Sequence, residues 1–273
     1  MDFISYDEKY VPKGMPLINT GNICYFNSLM QCLLSCPSIY QTLISIREKL
    51  HFKNNRLAQK LLNVWESALN GEDISHKCLP IWSDIITYAS HQNNKIKLNG
   101  NQQQDAHEGL MIFFDAMDTI PEIKQLFQHR HQIKIYCDNC NSVSIDKKEE
   151  NLVFEIQPNL KNEQLEKFKD KDIFYNKSMR FNEFLLAQNS YVDASHKCEK
   201  CSIKGEKFKQ TTLVMAPEIL TVVVKNYYRH TDITLFPEHI YMPIDKTTLL
   251  KYRLVARSEH SGTMHGGHYW AIC

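Results

Sequence analysis

The chain has 273 residues and a formal net charge of +1. That is enough length for one large domain or two small ones, and too little charge imbalance for nucleic acid to be a dominant partner. Met1 to Met15 holds acids and no apolar run, so it does not read as a secretory signal, and no stretch approaches the roughly 20 apolar residues of a membrane span. The nine cysteines are odd in number on a long chain, which points to reduced thiols in the cytoplasm or nucleus rather than to a disulfide scaffold.

The first predicted helix opens at Cys24, after the polar lead-in Asn19-Thr20-Gly21-Asn22, runs to Ser35 and stops at Pro37. A second spans about Arg56 to Asn70, with Leu57, Leu61, Leu62, Trp65 and Leu69 on one face and Gly71 closing it. A third covers about Pro80 to Ser90. A fourth runs from about Gln103 to Asp118, with Ala106, Leu110, Phe113, Phe114 and Met117 on one stripe.

Beyond about Gln128 the pattern becomes that of strands. Short β-branched or alternating segments stand at Gln132 to Tyr136, Leu152 to Ile156, Tyr252 to Ala256 and Tyr269 to Ile272. Leu220 to Val224 reads as a buried strand. Lys161 to Lys177 is rich in Lys, Glu and Asp and reads as a solvated insertion. Helices followed by a mostly antiparallel β region give the α+β class.

Cys24 stands at a helix start, where partial positive charge favours a thiolate. The same position also suits a small buried residue, but the Gly-containing lead-in is unnecessary for packing. Cys32 and Cys36 lie among leucines and read as core. His268 follows Gly266-Gly267 and begins an apolar strand. A histidine there can share a thiol proton and later protonate a leaving amine. For Asn19, two readings stand level: a turn or cap, or an amide donor to a developing oxyanion, a contribution of about 3–4 kcal/mol when deleted.

Cys137-Asp138-Asn139-Cys140 and Cys198-Glu199-Lys200-Cys201 are two C-x2-C knuckles. Together they can complete a closed, structural four-thiolate zinc site at the end of an extended hairpin; redox-active pairs are the alternative.

These residues carry a resemblance. The run from Asn19 to Gln31 resembles the Cys box of the ubiquitin-specific proteases. Gln103-Gln104-Asp105-Ala106-His107-Glu108 resembles that family's Gln-Gln-Asp helix start, and the knuckles resemble its zinc-bound fingers. Pro217 to Tyr227 is similar to the strand that follows. Tyr252 to Ala256, His260-Ser261-Gly262 and Gly266-Gly267-His268-Tyr269 are similar to its His box.

The resemblance implies a papain-like cysteine peptidase in one catalytic domain over 1–273. A helical thumb would occupy about 15–130, zinc-stabilised β fingers about 131–215 with the charged insertion at 161–177, and an antiparallel β palm about 216–273. It implies a thiol hydrolase that cuts the peptide or isopeptide bond after the C-terminal Gly-Gly of ubiquitin. Cys24 would be the nucleophile, His268 the base and Asn19 the oxyanion donor. Asp105, Gly266, Gly267 and Tyr269 would bind the extended ubiquitin tail. Cys137, Cys140, Cys198 and Cys201 would hold structural Zn2+. The implied partners are ubiquitin and ubiquitinated proteins, engaged by a monomer, with no nucleic acid and no membrane. Two other readings are a catalytically impaired ubiquitin-binding module and a protease for another ubiquitin-like modifier.

The sequence departs from the family in three places. The family's third catalytic residue, an Asp or Asn, is not found in this chain, so the palm is expected to be C-terminally incomplete. The usual Leu-Lys-Arg-Phe becomes Val224-Lys225-Asn226-Tyr227. Gly109 stands where a Phe is usual, which costs about 1 kcal/mol of helix propensity and removes a core aromatic.

Overall fold

The computed structural model describes residues 7–13, 15–91, 104–145, 149–156, 191–192, 197–205, 207–224, 237–244, 248–263 and 266–273. The charged insertion at 161–177, Gln103 and the Lys225-Asn226-Tyr227 departure lie outside these residues. The chain divides into two compact units, Met1–Leu126 with Val255–Cys273, and Phe127–Leu254. The segment expected as palm, 216–273, is thus shared between them. No single helix among the described residues is long and apolar enough to cross a membrane.

The first unit is built from helices α1 (Cys24–Leu34), α2 (Pro37–Ile46), α3 (Leu50–Asn54), α4 (Arg56–Leu69), α5 (Leu79–His91), α6 (Ala106–Ala116) and α7 (Pro121–Phe127). Pro37 does end α1, but it also starts α2: it stands at the first helical position, where its missing N–H costs nothing and its fixed φ suits the turn. The two helices bend by 75° at that point. Helix α4 follows its amphipathic pattern, burying Leu57, Leu61, Leu62 and Trp65, with the Asn55 side chain capping the Ala58 N–H at 2.8 Å. Gly71 closes it at φ +74°, a left-handed conformation natural to glycine after a helix. The Asn55 amide also donates to Thr119 Oγ1 at 2.9 Å, so one polar side chain both starts α4 and fastens the turn beyond α6.

The same unit takes back the last stretch of chain as a hairpin of β10 (Arg257–Thr263) and β11 (Gly266–Ile272), for which strand labels β1 to β9 belong to the second unit. The hairpin is antiparallel, pairing Ser261 with His268 and Gly262 with Gly267. Both of its strands pack on α1, which also packs on α6.

The second unit holds β1 (His129–Cys137), β2 (Ser142–Ile145), β3 (Glu149–Asn151), β4 (Phe154–Ile156), β5 (Tyr191–Val192), β6 (Lys207–Met215), β7 (Val222–Val224), β8 (His239–Pro243) and β9 (Leu249–Arg253). One sheet runs β2-β1-β6-β5, with β3 also paired to β1. Strands β8 and β9 form an antiparallel pair, while β4 and β7 pair in parallel, a departure from the antiparallel pattern expected of this region. The expected strand Tyr252 to Ala256 does not form as one piece. Tyr252 and Arg253 end β9, and the next strand begins at Arg257. The Val222–Val224 strand is half-buried rather than buried. It packs, with Leu220, Ile240 and Tyr252, on a core of Phe154, Leu213 and Met242.

Gly109 is buried in α6, and the space an aromatic there would fill is taken by Tyr25 and Leu29 of α1. A Cβ at 109 would meet Tyr25 Cε2 at 3.5 Å and Leu29 Cδ2 at 3.7 Å, ordinary contact distances. Gly109→Ala is therefore expected to raise stability by about 0.5–1 kcal/mol in chemical denaturation, by removing backbone freedom from the unfolded chain. Gly109→Phe has no room beside Tyr25 and is expected to cost about 1–3 kcal/mol.

Candidate active site and metal centre

Cys24 is the first residue of α1 and is buried. The residue before it, Ile23, has no side chain able to cap the helix. The partial positive charge of the first turn is therefore not neutralised by a capping oxygen, which suits an anionic sulfur at this position. Gly21, at φ +152°, lets the lead-in turn into the helix through a conformation other residues rarely adopt.

Two polar side chains on α1 hold that lead-in beside the helix. Asn27 Nδ2 donates to the Ile18 carbonyl at 3.0 Å, and Gln31 Nε2 donates to the Met15 carbonyl at 2.9 Å. Ile18 N–H in turn donates to the Ser75 carbonyl at 3.0 Å. Asn19 is exposed, and its Oδ1 accepts from the Gly21 N–H at 3.3 Å. The turn reading of Asn19 thus holds for its oxygen, and the carboxamide nitrogen is the part left to act as a donor. Asn27 and Gln31 were not singled out by the sequence reading. Their signal was two amide side chains one helical turn apart on a mostly apolar helix.

His268 lies on β11 and is exposed, with its ring 6.3 Å from that of Trp270. The next residue, Tyr269, meets Tyr25 of α1 at a ring distance of 6.4 Å. At the other end of the same helix, Cys273 Sγ lies 3.7 Å from the Gln31 carbonyl oxygen. Between these points Ser28 and Ser258 hydrogen-bond through their hydroxyls. Helix α1 and strand β11 therefore run in the same sense, with Tyr25 and Tyr269 at one end and Gln31 and Cys273 at the other. Cys24 directly precedes Tyr25, and His268 directly precedes Tyr269.

The glycines of the hairpin divide into two kinds. A Cβ on Gly267 would overlap the Ser261 carbonyl oxygen and the His260 imidazole, and one on Gly262 would lie 2.5 Å from the Gly267 Cα. Gly266 faces nothing within 4 Å. Gly267 is thus required by the hairpin itself, and Gly266 alone of this pair borders open space. The His260 ring, 4.4 Å from that of Tyr269, occupies the side that Gly267 leaves bare.

Asp105 is the N-cap of α6, its Oδ1 accepting from the His107 N–H at 2.7 Å. Its carboxylate is committed in part to holding the helix start. Tyr25 is fully buried, edge-on to Trp82 at 5.3 Å, and burial raises its phenol well above the ordinary range.

The two knuckles come together in the second unit, because the β1–β6 register pairs Tyr136 with Phe208, and Cys137 ends β1 just beyond that pair. Each knuckle is followed by a left-handed residue, Asn141 at φ 52° and Ser202 at φ 61°. This repeated turn folds both cysteines of each pair inward. All four sulfurs lie within 4.8 Å of one another, and the Cys137–Cys201 and Cys140–Cys198 separations are both 3.8 Å. Metal–sulfur bonds of about 2.3 Å in a tetrahedron place sulfurs about 3.8 Å apart, so the group fits a tetrahedral metal ion. The Cys201 N–H and the Ser142 hydroxyl hold the Cys198 thiol down to about 5, which favours the ligating thiolate.

Residues 15–273 match the family model described as ubiquitin carboxyl-terminal hydrolase. Among curated proteins, the chain is 27% identical to ubiquitin carboxyl-terminal hydrolase 36 of Drosophila erecta and 26% identical to that of Drosophila melanogaster, over 95% of this chain in each case. It spans about a quarter of the length of those relatives, 25% and 26% respectively. Among solved structures, the fold is similar to a chain of a SAGA DUB module, Ubp8/Sgf11/Sus1/Sgf73, bound to monoubiquitin. That match has a TM-score of 0.70 and 21% identity, and covers 98% of this chain and 62% of the other. A second structure of that module, bound to ubiquitin aldehyde, matches with a TM-score of 0.67 and 18% identity, over 98% and 63% of the two chains.

The two kinds of glycine are separable by substitution. Gly267→Ala is expected to destabilise the protein by about 1–3 kcal/mol, since backbone must move to admit the methyl. Gly266→Ala is expected to stay within about 0.5 kcal/mol of the parent. Thermal denaturation of the two variants side by side checks both values.

Proposed function

The chain belongs to the ubiquitin carboxyl-terminal hydrolase family, and on that premise we propose that it is a cysteine-type deubiquitinase, cleaving the peptide or isopeptide bond after the C-terminal Gly-Gly of ubiquitin. The observation that carries the reading is the same-sense packing of α1 and β11. The Tyr25–Tyr269 contact at one end of that interface supports pairing the residues that precede them, Cys24 and His268. Ubiquitin bound to the structural neighbours supports the choice of substrate.

In this reading the Cys24 thiolate attacks the carbonyl carbon of the terminal glycine. The tetrahedral oxyanion accepts hydrogen bonds from the Asn19 carboxamide, held in place by the Asn27 tether, and from backbone N–H at the start of α1. His268 takes the thiol proton and delivers it to the leaving amine. It then activates the water that hydrolyses the thioester. Gly266 borders open space that would take an extended Gly-Gly tail, with Asp105 and Tyr269 as its further binding residues. The protein acts as a monomer in a reducing compartment, a placement supported by cysteines none of which is paired in a disulfide.

The test is reaction with ubiquitin bearing a C-terminal thiol-reactive group. A covalent adduct is expected with the parent protein and none with Cys24→Ala. His268→Ala is expected to slow adduct formation by about 10²–10⁴-fold. Binding of ubiquitin without an adduct at Cys24 would replace the enzyme reading with that of a ubiquitin-holding module.

Cys137, Cys140, Cys198 and Cys201 hold one structural Zn2+. The ion supplies cross-linking of the two knuckles and no chemistry, because four thiolates leave no open position. The purified protein is expected to contain one zinc per chain by elemental analysis. Cys137→Ala is expected to unfold the second unit, since structural zinc contributes on the order of 10 kcal/mol of folding free energy. Absence of zinc together with an unaltered melting curve for Cys137→Ala would remove the assignment.

A further inference from the structure

The His260-Ser261-Gly262 run of β10 has no part in the proposed hydrolysis, yet its histidine lies against the strand that carries the proposed base. The hairpin register sets His260 opposite Tyr269 and Ser261 opposite His268. The His260 and Tyr269 rings stand 4.4 Å apart at an interplanar angle of 40°. From there the imidazole reaches diagonally to Gly267: a Cβ on that glycine would lie 2.4 Å from His260 Nε2 and 2.9 Å from Cε1. A ring this close is admitted only because residue 267 has no side chain.

Gly267 and Tyr269 flank His268 in sequence, and successive residues of a strand face opposite sides. Both therefore lie on one face of β11, and His268 on the other. The His260 ring spans the back of the residue whose side chain is the proposed base. On the front, the Trp270 ring lies 6.3 Å from that of His268, at 22°. The face that His260 covers is also the one turned to α1, since Tyr269 meets the Tyr25 ring there at 6.4 Å. Three rings, Tyr25, Tyr269 and His260, thus make a row from the residue after Cys24 to the residue before His268.

We propose that His260 is a positioning residue for His268, acting by packing and not by proton transfer. Gly266 and Gly267 precede the base, and two glycines in succession leave the backbone many conformations. Cross-strand pairing restrains them in part. The imidazole supplies the packing that Gly267 lacks and ties it, through Tyr269, to the helix that starts at Cys24. A general base must be held within hydrogen-bond reach of the proton it takes, and a misplacement of about 1 Å costs on the order of 10²-fold in rate. His260 is itself exposed, so its replacement empties no part of the buried core. The inference rests on the hydrolase reading and adds to it a residue which that reading does not use.

The experiment is steady-state cleavage of ubiquitin carrying a C-terminal fluorogenic amide by the parent, His260→Ala and His260→Phe, with melting curves for all three. For His260→Ala, kcat is expected to fall by about 10–100-fold, with KM within about twofold of the parent and the melting midpoint within about 2 °C. The limbs of its pH–rate profile are expected to stay where the parent has them, because His268 still carries the proton. His260→Phe keeps a ring beside Gly267 and has no proton to exchange, so it is expected to recover kcat to within about threefold of the parent.

A parental rate in His260→Ala, an equal loss in both variants, a displaced pH limb, or a loss matched by a lower melting midpoint would each overturn the proposal. Any of these leaves the hydrolase reading standing. A parent that neither turns over nor forms an adduct at Cys24 would remove both.

Discussion

The candidate site depends on the packing of one helix along one strand in the same sense. Chain connectivity does not bring Cys24 and His268 together, since almost the whole sequence separates them. What relates them in the fold is α1 lying along β11, with Tyr25 against Tyr269 at one end and Gln31 against Cys273 at the other. Reversing the sense of either element would carry the histidine to the wrong end of the helix. The apolar face of α1 makes the arrangement stable, because Tyr25, Phe26, Met30, Leu33 and Leu34 are buried almost completely. The same helix therefore serves as the centre of the core and as the support for the thiol.

That double use explains where polar groups were placed. Asn27 and Gln31 interrupt the apolar face only to reach carbonyls of the segment that precedes Cys24. A carbonyl held against the core without a donor would cost about 1–3 kcal/mol, so each tether both satisfies the backbone and fixes the lead-in. Asn19 is aligned indirectly, by restraint of Ile18 beside it and by its own turn to Gly21. The hairpin shows the same economy. The missing side chain at Gly267 is filled by His260 from the opposite strand, while that at Gly266 is left open.

Much of this was legible before the fold was known. The long amphipathic helices followed their periodicity, and the polar lead-in to Cys24, the Gly-Gly-His run and the paired knuckles announced chemistry that packing alone does not require. What escaped was set by contacts distant in sequence. Strand β10 is Arg-Ser-Glu-His-Ser-Gly-Thr, with no apolar alternation, and it is a strand because it pairs residue for residue with β11. Helix α2 was hidden because Pro37 reads as a stop, although the same residue suits the first turn of the next helix. The purpose of Gly109 was invisible for a related reason. Read alone it is a lost aromatic, whereas in the fold the Tyr25 ring from α1 already lies against it.

The second unit makes the metal group more than a decoration. Its buried apolar cluster among the described residues consists of Phe154, Leu213 and Met242, with half-buried neighbours around them. In the first unit, by contrast, Trp65, Phe113, Phe114 and many aliphatic side chains are fully enclosed. A sheet with so little apolar burial has a small surplus over the entropy of ordering its chain. The knuckles sit at the far end of its longest pair of strands, β1 and β6, beyond the reach of that cluster. Four sulfurs at tetrahedral spacing cannot all be thiolates there without a cation between them, since their mutual repulsion would drive protons back on or the sulfurs apart. The left-handed turns at Asn141 and Ser202 carry a backbone cost and stand directly after the second cysteine of each knuckle. The sheet thus has apolar packing at one end and, at the other, four cysteines whose sulfurs lie close enough to share a metal ion.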